Sequence, residues 1–284
     1  RSENESRKKT TSFSSYSIIP TLTIAGSDSG GGAGLQADIR TMAALGCMPS
    51  CVVTAVTAQN TMGVQAVSAV EPEMVAAQLR AVMADIHPRY VKIGMLPTAD
   101  AVRAVAATLH DYDYRHLVVD PILISSSGTP LMASDAVQAF LDELVPLATL
   151  LTPNIPEAET LTGIEIHTER DCGAAARCLM ERGVRFVLIK GGHATFGDGC
   201  TDRLYERSVD ETALFSAPRV NTSNSHGTGC VLSSAITAFL ARGESEREAV
   251  AHAKRFLTKA LQDGKEMIYG HGKGPSLIPT ILHK

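Results

Sequence analysis

The chain has 284 residues, 44% of them hydrophobic, enough to bury a substantial core in one large domain or two small ones. A net charge of −4 at pH 7, no basic stripe and no tryptophan argue against nucleic-acid partners and base-stacking platforms. Thr41 to Val70 carries no charge, but Pro49, Gln59, Asn60 and Gly63 interrupt it, so no run of ~20 apolar residues marks a membrane span.

Residues 1–17 are rich in Ser, Thr, Lys and Arg and read as a disordered tail, with a single folded domain expected over 18–284. The six cysteines are scattered, without CxxC or zinc spacing. A reduced, cytoplasmic chain is the simplest reading, or an organellar matrix one where the tail belongs to a transit segment.

Ile18 to Ala25 alternates like a strand. A glycine loop from Gly26 to Gly34 follows, then Leu35 to Leu45 at helical spacing. This strand–loop–helix lacks the Gly-Lys-Ser/Thr of a P-loop and the glycine spacing of the dinucleotide fingerprint. The loop reads either as a tight turn or as a backbone wall against a small ligand, with Asp38 one helical turn beyond it. Cys51 to Ala58 reads as a second buried strand ending in Gln59-Asn60-Thr61, a polar cluster where open α/β sheets bind ligands.

Helices are expected over Glu71–Ile86, Thr98–Leu109, Asp135–Leu144, Glu169–Glu181 and Glu246–Asp263. Strands are expected over Tyr90–Gly94, His116–Val119, Thr149–Thr152 and Phe186–Ile189, and a hairpin over Asp202–Phe215. Several strands end on chemistry. Asp120-Pro121 closes one, and Lys190-Gly191-Gly192-His193 closes another. Thr152 leads into Pro153-Asn154-Ile155-Pro156-Glu157, where two prolines suggest a fixed turn. Asn154 and Glu157, three apart, could order a hydrated Mg²⁺ or cap a helix. Strands alternating with helices argue for an α/β doubly wound, mostly parallel sheet with helices on both faces.

Asn224-Ser225-His226-Gly227-Thr228-Gly229-Cys230 then runs into the apolar stretch Val231 to Leu240. The first turn of a helix leaves N–H groups unpaired and partly positive, so a glycine-containing start suits an anion, most naturally a phosphate. A glycine turn before a core helix is the plainer alternative.

Taken together, these segments resemble the ribokinase superfamily. Within it the chain is similar to the hydroxymethylpyrimidine kinase / hydroxymethylpyrimidine-phosphate kinase family of thiamine biosynthesis. The likeness runs through Ala25 to Gly34, Gln36-Ala37-Asp38, Ala58 to Thr61, Lys92 to Leu96, Asp120-Pro121, Thr152 to Ala158, Lys190 to His193 and His226 to Cys230. The resemblance implies a ribokinase-like fold, a homodimer, and ATP with Mg²⁺ as cofactors. It implies phosphorylation of 4-amino-5-hydroxymethyl-2-methylpyrimidine and then of its monophosphate.

By the same likeness, Gln59 pairs with the pyrimidine edge, and Gly26, Ala33, Asp38, Met95 and Ile122 shape its pocket. Gly227, Thr228 and Gly229 form an anion hole, and Lys190 lies near the nucleotide phosphates with Gly227, Gly229 and Asn154. Asp120, Asn154 and Glu157 order Mg²⁺. Cys230 stands where most of the superfamily carries an aspartate base, and either takes the proton or lines the hole. Ser126 and Ser223 fall where certain bacterial members carry lysine. The same branch includes pyridoxal kinases, the nearest rival reading. A non-catalytic pyrimidine-binding sensor is the rival from another class.

Overall fold

The computed structural model describes residues 18–125, 127–197 and 200–278. The tail over 1–17, Ser126 and residues 279–284 lie outside the described residues. The strands are β1 Pro20–Asp28, β2 Met48–Asn60, β3 Gly63–Ala69, β4 Tyr90–Ile93, β5 His116–Val119, β6 Leu150–Leu151, β7 Phe186–Ile189, β8 Asp202–Glu206 and β9 Ala213–Phe215. They form one sheet in the order β3-β2-β1-β4-β5-β6-β7-β8-β9. Pairing is parallel from β2 through β7 and antiparallel at both edges.

Neighbouring residues on the central strands serve opposite layers. Leu117, Val119, Leu151, Val187 and Ile189 pack with helices α2 Pro72–Asp85, α3 Ala99–His110, α4 Ser134–Ala139, α5 Ile155–Thr162 and α6 Glu169–Met180. Val118, Leu150, Phe186 and Leu188 face the other way, onto α7 Thr228–Ala241 and α8 Glu246–Asp263. Helix α1, Gly34–Ala44, joins that second layer through Met42 against Ala238. The period-two alternation of each strand therefore builds two cores at once. Among the described residues no helix is long and apolar enough to cross a membrane.

Three local expectations are corrected. Strand β1 continues through Gly26, Ser27 and Asp28, past a bulge at Ala25/Gly26, because β2 keeps pairing with it as far as Thr57. Strand β2 is longer than the apolar run and half exposed. Gln59 and Asn60 belong to it, and the chain turns back at Thr61-Met62 into β3. The expected turn over Pro153–Glu157 instead opens α5. Asn154 and Glu157 cap each other's backbone reciprocally, and Pro156 sits in the first turn, where its missing N–H costs nothing.

Candidate active site

Parallel strands end together, and the loops at their carboxyl ends share one concavity. Here that concavity holds about 710 Å³. Gly26, Ala33, Gln59, Met95 and Ile122 line it, as do Asp120, Asn154, Glu157, Lys190 and the run Gly227 to Cys230. A recess of about 300 Å³ adjoins, sharing Asn154, Lys190, Thr228 and Gly229 and continuing to Pro218 and Leu257. The arrangement is two-lobed, with the start of α7 common to both.

No side chain caps α7. Its N-cap is Gly227 at φ 77°, a conformation that favours glycine, and a methyl group there would collide with the carbonyl of Gly32. The two glycine loops are thus packed backbone to backbone, and the first turn of α7, whose N–H groups carry partial positive charge, lines the cavity. A Cβ on Gly229 would lie 3.3 Å from Asp120 Oδ2 and 3.4 Å from Lys190 Nζ, so the charged cluster sits directly against this turn.

Lys190 Nζ donates to Asp120 Oδ1 at 2.8 Å and lies 3.8 Å from Glu157 Oε2. Burial opposes the charge of Asp120, but Lys190 and the deeper Lys92 outweigh it and hold its carboxyl below the usual range. Burial also opposes the charge of Lys190, and Asp120 and Glu157 raise its pKa nonetheless. Glu157 is pushed up to about 7, chiefly by burial, with Lys190 opposing and Asp120 adding repulsion. Among the described residues no group of three His, Cys, Asp or Glu side chains forms a closed metal cage. Asp120 and Glu157 are grouped around Lys190, with Glu157 the more reluctant of the two to ionise.

Burial pushes the Cys230 thiol up to about 11, although Lys92 and the Gly34 N–H pull the other way. The thiol is therefore protonated at neutral pH.

One expected pocket residue is elsewhere. Asp38 is absent from the cavity wall and fully buried beneath it. Its oxygens take Lys92 Nζ at 2.9 and 2.8 Å, Ser234 Oγ at 2.6 Å and Thr23 Oγ1 at 2.6 Å. This saturated carboxylate ties α1, α7, β1 and β4 together under the anion-binding turn.

Asp28 and His226 were not singled out by residue type alone, and both line the cavity. Asp28 accepts from the N–H groups of Gly30, Gly32 and Ala33 at 2.8, 3.0 and 2.8 Å. Burial works against its charge, but His226 and these N–H groups prevail and lower its pKa. An aspartate just before Ser29-Gly30 is a turn-forming signal that sequence reasoning could have used. Arg219 and Lys273 add positive charge to the wall. Ser223 is exposed and does not line the cavity.

The phosphomethylpyrimidine kinase family profile matches residues 28–276. The chain is 48% identical over 251 residues to the thiamine biosynthesis bifunctional protein ThiED of Geobacter sulfurreducens, covering 88% of this chain and 51% of that protein. The chain thus spans about half the length of that bifunctional relative. It is 44% identical over 258 residues to the hydroxymethylpyrimidine/phosphomethylpyrimidine kinase of Salmonella typhimurium, covering 90% of this chain and 96% of the relative. The solved ADP complex of Bacillus subtilis pyridoxal kinase superposes with a TM-score of 0.82 at 32% identity, covering 92% and 98% of the two chains.

Proposed function

The chain belongs to the phosphomethylpyrimidine kinase family, and from that premise we propose that it phosphorylates 4-amino-5-hydroxymethyl-2-methylpyrimidine with ATP, and then phosphorylates the monophosphate. The observation that carries the reading is the uncapped start of α7, set between the lobe walled by Gln59, Met95 and Ile122 and the Asp120–Lys190 pair. Phosphoryl transfer needs little covalent help from the protein. It needs positioned donors and positive charge where the phosphoryl oxygens gather.

In this reading the N–H groups of Gly227 to Cys230 receive the transferring group, and Lys190 bridges from Asp120 to the nucleotide phosphates. The nucleotide lies in the smaller recess. Gln59, Gly26, Ala33, Met95 and Ile122 wall the pyrimidine. Asp120, Asn154 and Glu157 would hold Mg²⁺, whose charge would offset that of the phosphates. Asp38 supports the site from below and does not touch the substrate.

The likeness to pyridoxal kinase is the specific reason to keep a second reading. A coupled ADP-release assay with MgATP separates the two when the pyrimidine, its monophosphate and pyridoxal are offered in parallel. Both pyrimidines should turn over, with a higher kcat/KM than pyridoxal. Turnover of pyridoxal alone would move the chain to vitamin B6 salvage, and binding without any turnover would favour a sensor.

We also propose that the chain forms a homodimer through the β2–β3 arm. Met48 to Ala69 carries no charge, and Met48, Val56, Met62 and Val67 are exposed on it. Sedimentation equilibrium should return twice the chain mass, and Val56→Lys should halve it. A wild-type monomer at micromolar concentration would rule the arm out as a dimer interface.

A further inference from the structure

The side-chain amide of Gln59 lies between His226 Nε2 and Thr57 Oγ1, and the other bonds of those two groups decide which way it faces. His226 Nε2 is 3.1 Å from Gln59 Nε2 and 2.9 Å from Asp28 Oδ2. Asp28 meets four donors: Gly30 N–H on Oδ1, and Gly32 N–H, Ala33 N–H and His226 Nε2 around Oδ2. A carboxylate in that setting is an acceptor only. The proton between Asp28 and His226 therefore sits on Nε2, and Nε2 has no lone pair to offer a Gln59 NH₂. The amide therefore turns its oxygen toward the imidazole, where it shares the Nε2–H with Asp28.

The other end of the amide gives the same answer independently. Thr57 Oγ1 has one hydrogen and donates it to the Ser27 carbonyl at 2.9 Å. The amide atom on that side lies 3.3 Å from Thr57 Oγ1. It can only donate, so it is the NH₂. O and N of an amide occupy interchangeable positions, and the surrounding donors and acceptors decide between them.

We propose that Asp28, acting through His226, locks Gln59 with its oxygen on the imidazole and its NH₂ toward Thr57 and the cavity, so that Gln59 reads the substrate as a donor to a heteroaromatic ring nitrogen. One NH₂ hydrogen goes to Thr57 and the second to the ligand. The exocyclic amine of an aminopyrimidine, itself a donor, is then not the group Gln59 recognises. His226 is a positioning residue, and its fit is tight: a methyl group on Gly32 would collide with its Cδ2. The His226 N–H also donates to the Gly274 carbonyl at 3.0 Å, which pins the histidine backbone to the glycine-rich segment near the carboxyl end. The ligand half of this inference rests on reading Gln59 as part of the pyrimidine wall. The placement of the proton does not.

Long-range ¹H–¹⁵N NMR of the labelled protein, with the His226→Asn variant for assignment, reads the proton directly. His226 Nε2 should give a protonated, pyrrole-type signal at neutral pH, and a pyridine-type Nε2 would overturn the lock. Calorimetry then tests the recognition. Gln59→Glu keeps an acceptor for His226 but has no NH₂, so its melting temperature should hold while pyrimidine affinity falls about tenfold or more. The 4-deamino analogue should lose as much affinity on Gln59→Glu as the parent does. Unchanged affinity in Gln59→Glu, or a loss confined to the 4-amino compound, would overturn the donor assignment. A wild-type protein that binds no pyrimidine would overturn the functional reading itself, and the NMR result would still decide the lock.

Discussion

Replacing Lys92 by methionine should destabilise the chain by about 3–5 kcal/mol, the usual consequence of stripping one partner from a buried ion pair. Lys92 and Asp38 are both 0% exposed, and the pair closes at 2.8 Å between the sheet and the second helical layer. With the lysine gone, the Asp38 carboxylate stays in an apolar interior, answered only by the hydroxyls of Thr23 and Ser234. The double change Lys92→Met with Asp38→Leu should recover part of the loss, because neither half of the pair then remains as an unpaired buried charge. Recovery stops short of wild type, since Thr23 loses its acceptor. Urea denaturation of the four proteins measures this directly. A single variant within 1 kcal/mol of wild type, on the order of the smallest hydrogen-bond contributions, would mean that water or a rearrangement relieves the charge. Burial opposes the charge of Lys92, but the Asp38 carboxylate, with Asp120 beyond it, prevails and raises its pKa. The cation is therefore present at neutral pH, immediately below the anion-binding turn.

On the reading in which Cys230 takes the hydroxymethyl proton, Cys230→Ala should lower kcat by about 10²–10⁴-fold, the range for a positioned proton acceptor, while the KM values for pyrimidine and ATP change little. The sign of the pH dependence follows from the thiol. With its pKa pushed up to about 11, thiolate is scarce at neutral pH and grows as pH rises. The wild-type kcat should therefore climb from neutral pH into the alkaline range, and the alanine variant should lose that slope. If the variant keeps its rate within a few-fold and both profiles are flat, Cys230 only lines the hole, and the hydroxymethyl proton leaves by another route. The loose transition state of phosphoryl transfer lets the hydroxymethyl proton leave late, and only the small thiolate fraction that this raised pKa allows can accept it.

What the sequence revealed depended on whether a pattern was local. The central strands are short apolar runs ending in Asp120, Asn154 and Lys190, and parallel topology brings those ends together without further information. Helix α8 is bounded by a Ser245–Glu248 capping box and begins and ends where expected. Strand β3 was missed because most of it is exposed, so it shows no buried-face alternation. The start of helix α5 was only the alternative reading of Asn154 and Glu157, although Asn154-x-x-Glu157 is a capping-box signature. The flanking prolines drew attention to a turn, and the paired side chains to a metal.

Asp38 is the most instructive residue. One helical turn from a ligand loop, it could face up or down. The lysine inside Tyr90-Val91-Lys92-Ile93 was the clue, because a charge in a buried strand demands a partner. The contact of His226 with Asp28 spans 198 positions, and no local pattern encodes it.

The central claim is two successive phosphoryl transfers at one anion hole, and ³¹P NMR of a single reaction tests it most directly. Hydroxymethylpyrimidine and excess MgATP are followed over time with the intact chain. A phosphomonoester signal should rise first and then give way to the paired signals of a diphosphate ester, with ADP formed at each step. A phosphomonoester that accumulates without conversion would restrict the chain to the first transfer. The absence of any phosphorylated pyrimidine, with ATP intact, would contradict the account.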